Sequence, residues 1–254
     1  MVDHYMFARP INRELYRMEN WIGDTICAAR NFLDQGFRSL PTILGGATLI
    51  LGLTQGNLNF LFFFVGLFIV APLAALIVNG LTEFVFANFL TFIPQELWLV
   101  RGGSSDQCSM FTVFPSNLPA SAMNAVPSYW MTIMAFFFFY LFANAVNLYT
   151  KQSTSKAPKE AVDARKAQAM IGMIMLGITG TVFTILRYAK TGCETGLGVL
   201  VSILVGGSLG YGWYEFMRSC GLGRLDDLFG ISNRILPLQS EEENTPVTCV
   251  PSSS

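Results

Sequence analysis

The residue types that enzymes use for acid–base, nucleophilic or metal chemistry are scarce in this chain. It contains one histidine, His4, next to the N-terminus, and no Cys-x-x-Cys pair. A Ser-His-Asp triad requires a histidine base, and most zinc sites use histidines or paired cysteines. The carboxylates nearest to apolar runs, Glu83 and Glu96, lie where a membrane edge would be hydrated. We therefore expect no enzymatic activity, no bound metal and no cofactor.

Composition points instead to a membrane protein. Hydrophobic residues make up 52% of the 254 residues and charged residues 13%, about half the fraction usual in soluble domains. The net charge of −1 excludes the basic surface typical of nucleic-acid binding. The stretches Ser39–Thr82 and Gln107–Thr150 contain no ionisable acidic or basic side chain. A helix needs about 20 apolar residues to cross the hydrocarbon core, so each stretch is long enough to contain a crossing.

The apolar runs predict an all-α fold, a polytopic membrane helical bundle of about four transmembrane helices. The predicted spans are 58–79, 128–149, 168–187 and 196–214, inside a membrane region covering 39–215. The apolar segments 40–53 and 81–93 are shorter than a normal crossing, so we expect them to be interfacial, re-entrant or packed on the bundle.

The two terminal segments are more polar than the membrane region. Residues 1–38 have apolar positions at three- and four-residue spacing, which predicts an amphipathic leader helix. This helix could pack on the bundle, lie on the membrane or dock on a partner. Residues 216–254 begin as an amphipathic segment and end in a Glu-, Ser- and Pro-rich tail, which we expect to be disordered. No signal peptide is visible in the leader, so insertion is expected to use an internal span.

The distribution of lysine and arginine favours an even number of crossings. With four spans, thirteen positive residues fall on one side of the membrane and three on the other. With five spans, each side receives eight, which gives no bias at all. Six spans, counting 40–53 and 81–93, give the same division as four. Because cytoplasmic loops carry excess positive charge, the sequence predicts an even number of crossings with both termini cytosolic. Four is favoured, because those two segments are shorter than a normal crossing.

The five cysteines divide between the two predicted sides. Cys108 and Cys193 fall on the non-cytosolic side and could form a disulfide if that side is oxidising. Cys27, Cys220 and Cys249 fall on the cytosolic side. The alternative is that all five are free thiols.

Small and aromatic residues indicate how the helices pack and where they end. Small residues at helical spacing allow close backbone approach, within one chain or in a homo-oligomer. The aromatic residues at the span ends are typical of membrane-interface anchors. Asn144 and Asn147 share one helix face and could hydrogen-bond another helix. The predicted packing residues are Gly206, Gly210, Gly172, Gly177, Ala71 and Ala75, and the predicted anchors are Tyr129, Trp130, Tyr149, Trp213 and Tyr214.

The final part of the chain carries a resemblance to a known group. The run from Gly210 through Tyr214 to Gly221, the segment Arg224–Ile231 and the tail motif Pro246–Pro251 lie within the last 50 residues or so. This pattern resembles the C-terminal part of small polytopic membrane proteins of large icosahedral double-stranded DNA viruses, such as the chlorella-virus and mimivirus-like groups.

The resemblance implies a structural protein of the membrane beneath a viral capsid. Such a protein would reside in the virion internal membrane, and in a membrane derived from the host endoplasmic reticulum during assembly. Its terminal segments would anchor that bilayer to minor capsid or other membrane proteins of the shell. The alternative that the residues leave open is a small channel or transporter, indicated by Asn144, Asn147 and a kink at Pro72.

Overall fold

The computed structural model describes residues 11–56, 58–100, 124–150, 159–191 and 194–220. These ranges are almost entirely helical. Five stretches are long and apolar enough to cross a membrane, one more than the four predicted from the sequence. They are Thr25–Gln55, Leu58–Asn88, Tyr129–Thr150, Val162–Ala189 and Gly196–Ser219.

The first helix, α1 (Ile11–Gln55), is a single element of 45 residues that includes Pro41. It joins the predicted leader to the short segment 40–53 in one continuous helix. The helix ends at Gly56, whose φ of 61° is the left-handed conformation that commonly terminates helices and that glycine adopts without strain. The chain then reverses direction into the second long helix.

The second long stretch consists of α2 (Leu58–Val65), a π-helical turn (Gly66–Val70) and α3 (Ala71–Asn88). The predicted span 58–79 and most of the predicted short segment 81–93 are therefore one continuous helix. Within the π-helical turn, the N–H of Ala71 donates to the carbonyl of Gly66, five residues earlier. Pro72 follows directly, and since proline cannot donate to the carbonyl one turn earlier, the ladder of α-helical bonds is interrupted here.

The segment after α3 contains the short helix α4 (Gln95–Trp98) and a two-residue strand, β1 (Leu99–Val100). This strand pairs antiparallel with β2 (Asn124–Ala125), with Leu99 opposite Ala125 and Val100 opposite Asn124. The N–H of Val126 also donates to the carbonyl of Trp98. Trp98 and Val126 are both buried, so this pairing fixes the start of the next helix.

The last three helices complete the bundle. Helix α5 (Tyr129–Thr150) matches its predicted span, and α6 (Lys159–Leu186) begins nine residues before its predicted start. A second π-helical turn (Arg187–Thr191) follows α6, and α7 (Gly196–Ser219) extends five residues beyond its predicted end. The predicted boundary between membrane region and C-terminal segment therefore lies inside α7. Helix α5 is central: it contacts α1, α3, α6 and α7, and its most extensive contact is with α7.

Candidate functional site

The most distinctive polar site lies where α5 begins, α6 ends and α7 begins. Ser128 directly precedes α5, Trp130 is in its first turn, Arg187 opens the π-helical turn after α6, and Glu194 precedes α7. Trp130 also reaches α1, through a hydrogen bond to Arg38. We refer to these five residues as the junction.

The centre of the junction is a buried ion pair. Nε of Arg187 lies 3.5 Å from Oε1 of Glu194, and their side chains are 2% and 0% exposed. The Ser128 hydroxyl donates to the same carboxylate oxygen and accepts from the backbone N–H of Met131 at 3.2 Å. One serine therefore caps the start of α5 and binds the carboxylate that precedes α7.

The charges of the pair match the dipoles of the helices around them. Glu194 stands next to the N-terminus of α7, where Thr195 caps the helix by accepting from the N–H of Gly198 at 3.0 Å. Through Ser128 it also contacts the N-terminus of α5, while Arg187 follows the C-terminal end of α6. Negative charge is stabilised at helix N-termini and positive charge at C-termini. This arrangement offsets part of the cost of removing both ions from water.

Trp130 connects the ion pair to α1. The guanidinium carbon of Arg187 lies 4.9 Å from the centroid of the Trp130 ring, within the range of a cation–π contact. The indole N–H of Trp130 donates to the backbone carbonyl of Arg38 at 3.2 Å, and its ring lies 5.0 Å from that of Phe37. The junction therefore ties four long helices together at one end of the bundle.

Burial has the largest effect on the pKa of Glu194. It raises the pKa of the Glu194 carboxyl above its ordinary value of 4.5, while the hydrogen bond from Ser128 and the charge of Arg187 act in the opposite direction. Within the described residues, Oε2 of this carboxyl is buried and has no hydrogen-bond partner. The burial of the carboxyl and its counter-ion Arg187 therefore act on its pKa in opposite directions.

The predicted packing residues fall into two groups. A Cβ on Gly206 would lie 2.3 Å from the carbonyl of Thr132, and a Cβ on Gly210 would lie 2.3 Å from that of Phe136. These two glycines let α7 lie directly against the backbone of α5. Ala71 and Ala75 are completely buried. A Cβ on Gly172 or Gly177 would meet nothing within 4 Å, so these two glycines make no close helix contact in the structure.

The predicted interface anchors also fall into two groups, one exposed and one buried. Tyr129 and Tyr149 are exposed, as an interfacial residue would be, but Trp130 and Tyr214 are buried. Their burial corrects that assignment: Trp130 belongs to the junction, and Tyr214 packs on Tyr140 with ring centroids 5.5 Å apart. Trp213 donates its indole N–H to the carbonyl of Phe62 at 3.2 Å.

The remaining predicted residues are placed as follows. Asn144 is buried on α5, and Asn147 is partly buried. Cys108 and Cys193, for which the sequence left a disulfide and free thiols open, lie outside the described residues. In the described part of the chain, Cys27 and Cys220 are free and exposed, and no group of three His, Cys, Asp or Glu side chains could hold a metal ion.

Sequence reasoning missed the Arg187–Glu194 pair. Arg187 was placed at the end of a predicted span, and Glu194 was not singled out. The available signal was their opposite charge across a connection too short to let the two helix ends separate. No protein-family model, no curated protein and no solved structure matches this chain.

Proposed function

We propose that this chain is a structural integral membrane protein in which all five long helices cross the bilayer. The observation that carries this proposal is the outer surface of α6. In the most apolar window of Val162–Ala189, only 6% of the residues are buried inside the protein. Ile171, Ile174 and Ile178 are each more than half exposed. A continuous apolar surface of this kind is unfavourable in water and is well solvated by lipid chains.

The packing of α1 supports a crossing by the first helix. Gly45 lies against the ring of Phe68, and Gly52 lies against the side chain of Leu61, so α1 runs antiparallel to the second long helix. At its other end, Phe37 reaches Trp130, where α5 begins. The 19 residues from Phe37 to Gln55 span about 28 Å of helix, close to the thickness of the hydrocarbon core.

Five crossings change the predicted sidedness. The N-terminal part of α1 and the C-terminus of α7 then emerge on opposite sides of the membrane. Each side carries eight lysine and arginine residues, so charge does not set the orientation. A shell that lies on one side of the membrane can therefore contact only one of the two terminal segments.

We further propose that the protein anchors the internal membrane of a large DNA virus particle to its capsid shell. The support for this step is the resemblance at the C-terminal end of the chain. Helix α1 is the better candidate for the contact arm, because it continues from Phe37 back to Ile11, about 39 Å of helix beyond the bundle. Minor capsid proteins would be its partners.

Two experiments test the two steps. Membranes containing the protein are washed at alkaline pH; an integral protein stays in the pellet, and release into the supernatant would contradict the membrane step.

For the virion step, the protein should be present in purified particles in high copy, and deleting residues 1–24 should weaken attachment of the shell to the membrane. Particles that lack the protein, or that assemble unchanged after the deletion, would contradict it.

A small channel or transporter is the second candidate. One observation favours it: the buried Arg187–Glu194 pair, since ionisable groups buried inside a membrane bundle often mark ion or proton pathways. Reconstitution into liposomes distinguishes the two functions. A channel would produce ion or proton flux that the Glu194→Gln variant alters, whereas a structural protein would produce none.

A further inference from the structure

The segment that follows α3, residues 89–98, exposes three large apolar side chains. Phe89, Phe92 and Leu97 are 68%, 78% and 52% exposed. They lie outside the five stretches that are long and apolar enough to cross a membrane. Exposed apolar side chains grouped in this way mark a surface that contacts lipid or another protein.

This segment is held at the end of the bundle where two long helices begin. At its end, Trp98 forms a buried cluster with Val126, and Leu197 and Val201 from the first two turns of α7 pack on that cluster. The backbone carbonyl of Trp98 accepts from the N–H of Val126, three residues before α5. Residues 89–98 therefore lie close to the level at which α5 and α7 enter the hydrocarbon core in the proposed insertion.

The exposed surface continues from the outer face of α3. The ring of Phe89 lies 5.9 Å from that of Phe84, which is itself 58% exposed near the end of α3. Glu83, on the turn before, is also exposed, and a carboxylate is costly in hydrocarbon without water or headgroups around it. Glu83 therefore marks the depth at which the hydrated headgroup region begins. Residues 84–95, which follow it, contain no charged side chain.

The backbone of the segment is suited to a lipid surface. The N–H of Leu90 donates to the carbonyl of Val85 at 3.1 Å, and the N–H of Ile93 donates to the carbonyl of Leu90 at 2.9 Å. Leu97 donates to the carbonyl of Pro94 at 3.0 Å, and proline itself has no N–H to pair. Unpaired backbone donors are costly in contact with lipid, and these bonds remove much of that cost.

We propose that residues 89–98 insert into the interfacial layer of one leaflet, with Phe89, Phe92 and Leu97 at the boundary between lipid headgroups and acyl chains. This inference rests on the proposed membrane insertion and adds a lipid contact made by a segment that does not cross. The segment lies at the junction end of the bundle, from which α1 continues as the proposed contact arm. It therefore holds the leaflet on the side of that arm.

The test is the depth of a nitroxide label at Phe92→Cys, in the full chain reconstituted into phosphatidylcholine vesicles after the native cysteines are replaced by serine. Relaxation of the label by oxygen, which concentrates in lipid, is compared with relaxation by a water-soluble nickel chelate. The label should respond to oxygen, lose most of its response to nickel and lie about 5–10 Å inside the lipid surface.

Two further positions serve as controls. Phe32→Cys makes the same substitution on α1 beyond the bundle, at a side chain that is 75% exposed, and its label should respond to nickel. Ile174→Cys on α6, where the side chain is 54% exposed, reports the membrane insertion itself and should respond to oxygen alone.

Two results would overturn the interfacial contact. A nickel response at Phe92 as strong as that at Phe32 would place the segment in water. Spin–spin broadening at Phe92, with neither reagent reaching the label, would show that a second copy of the chain covers it. In both cases an oxygen-only response at Ile174 leaves the proposed membrane insertion intact, whereas a nickel response at Ile174 would contradict that insertion as well.

Discussion

Arg187 and Glu194 form an ion pair across the connection between α6 and α7, with Nε and Oε1 3.5 Å apart and both side chains buried. Neither charge stands alone, because Ser128 binds the carboxylate and the Trp130 ring packs under the guanidinium. The pair therefore connects the end of α6 to the central helix α5. The outer surface of α6 is not covered by the rest of the protein.

Removing the cation of this pair should destabilise the protein. In Arg187→Gln the Glu194 carboxylate stays buried without its counter-charge, which typically costs about 3 kcal/mol. Thermal unfolding in detergent at neutral pH should show the loss. Arg218→Gln is the matched control, because the Arg218–Glu215 pair is about half exposed and should contribute almost nothing. The double variant Arg187→Gln/Glu194→Gln should recover most of the loss, and a double variant as unstable as Arg187→Gln would contradict this account.

Stability should depend on pH through Glu194. Because burial raises the pKa of this carboxyl above 4.5, the folded protein binds the proton more tightly than the unfolded chain does. The stabilisation is complete below pH 4.5 and is lost as the pH rises through the folded-state pKa. The unfolding temperature of the wild type should therefore fall over this range, and Glu194→Gln should flatten the profile. If the unfolding temperature of the wild type alone rose with pH, that result would contradict the prediction.

The membrane-type fold could be predicted from the sequence because it depends on local properties. Long uncharged runs predict apolar helices wherever they occur, and α5 agrees with its predicted span to within one residue at each end. The junction could not be predicted in this way. The junction depends on a contact between Ser128 and Glu194, which are 66 residues apart in the sequence. No periodicity in the sequence indicates a contact over that separation.

Close contact between α5 and α7 should make Gly206 intolerant of a side chain. Its Cβ would lie 2.3 Å from the Thr132 carbonyl, a backbone atom that cannot move aside without shifting the helix. Gly206→Ala should therefore cost about 1–3 kcal/mol. Gly212→Ala on the same helix meets nothing within 4 Å and should be neutral or stabilising by up to about 1 kcal/mol, owing to helix propensity. Equal effects of the two changes on the unfolding temperature would contradict the packing described here.

The hydrogen bond from Trp213 to Phe62 should stabilise the contact between α7 and α2. Trp213→Phe keeps an aromatic ring but removes the N–H donor, so the carbonyl loses its partner at a cost of about 1 kcal/mol. Tyr211→Phe removes an exposed hydroxyl from the same helix and serves as the control. The unfolding temperature should fall only in the first variant, and an equal response would show that the indole N–H does not matter.

The described residues contain five helices that are long and apolar enough to cross a membrane, where the sequence predicted four, and this difference has a physical reason. Segment 40–53 was set apart because it is shorter than a normal crossing, but the structure places it inside α1, where Gly45 and Gly52 allow close packing on the second helix. The charge rule then favoured four spans, because it assumes a strong asymmetry between the two sides. The π-helical turn before Pro72 has no sequence signal beyond the proline itself.

The side of the membrane on which Cys27 and Cys220 lie tests the five-crossing arrangement most directly. Both are exposed, Cys27 on α1 ahead of the bundle and Cys220 at the end of α7. Variants that retain only one of these cysteines are labelled in sealed, oriented vesicles with a thiol reagent that cannot cross the bilayer. Five crossings predict that only one of the two variants is labelled before the vesicles are opened. Labelling of both, or of neither, would place the two ends on one side and contradict the arrangement.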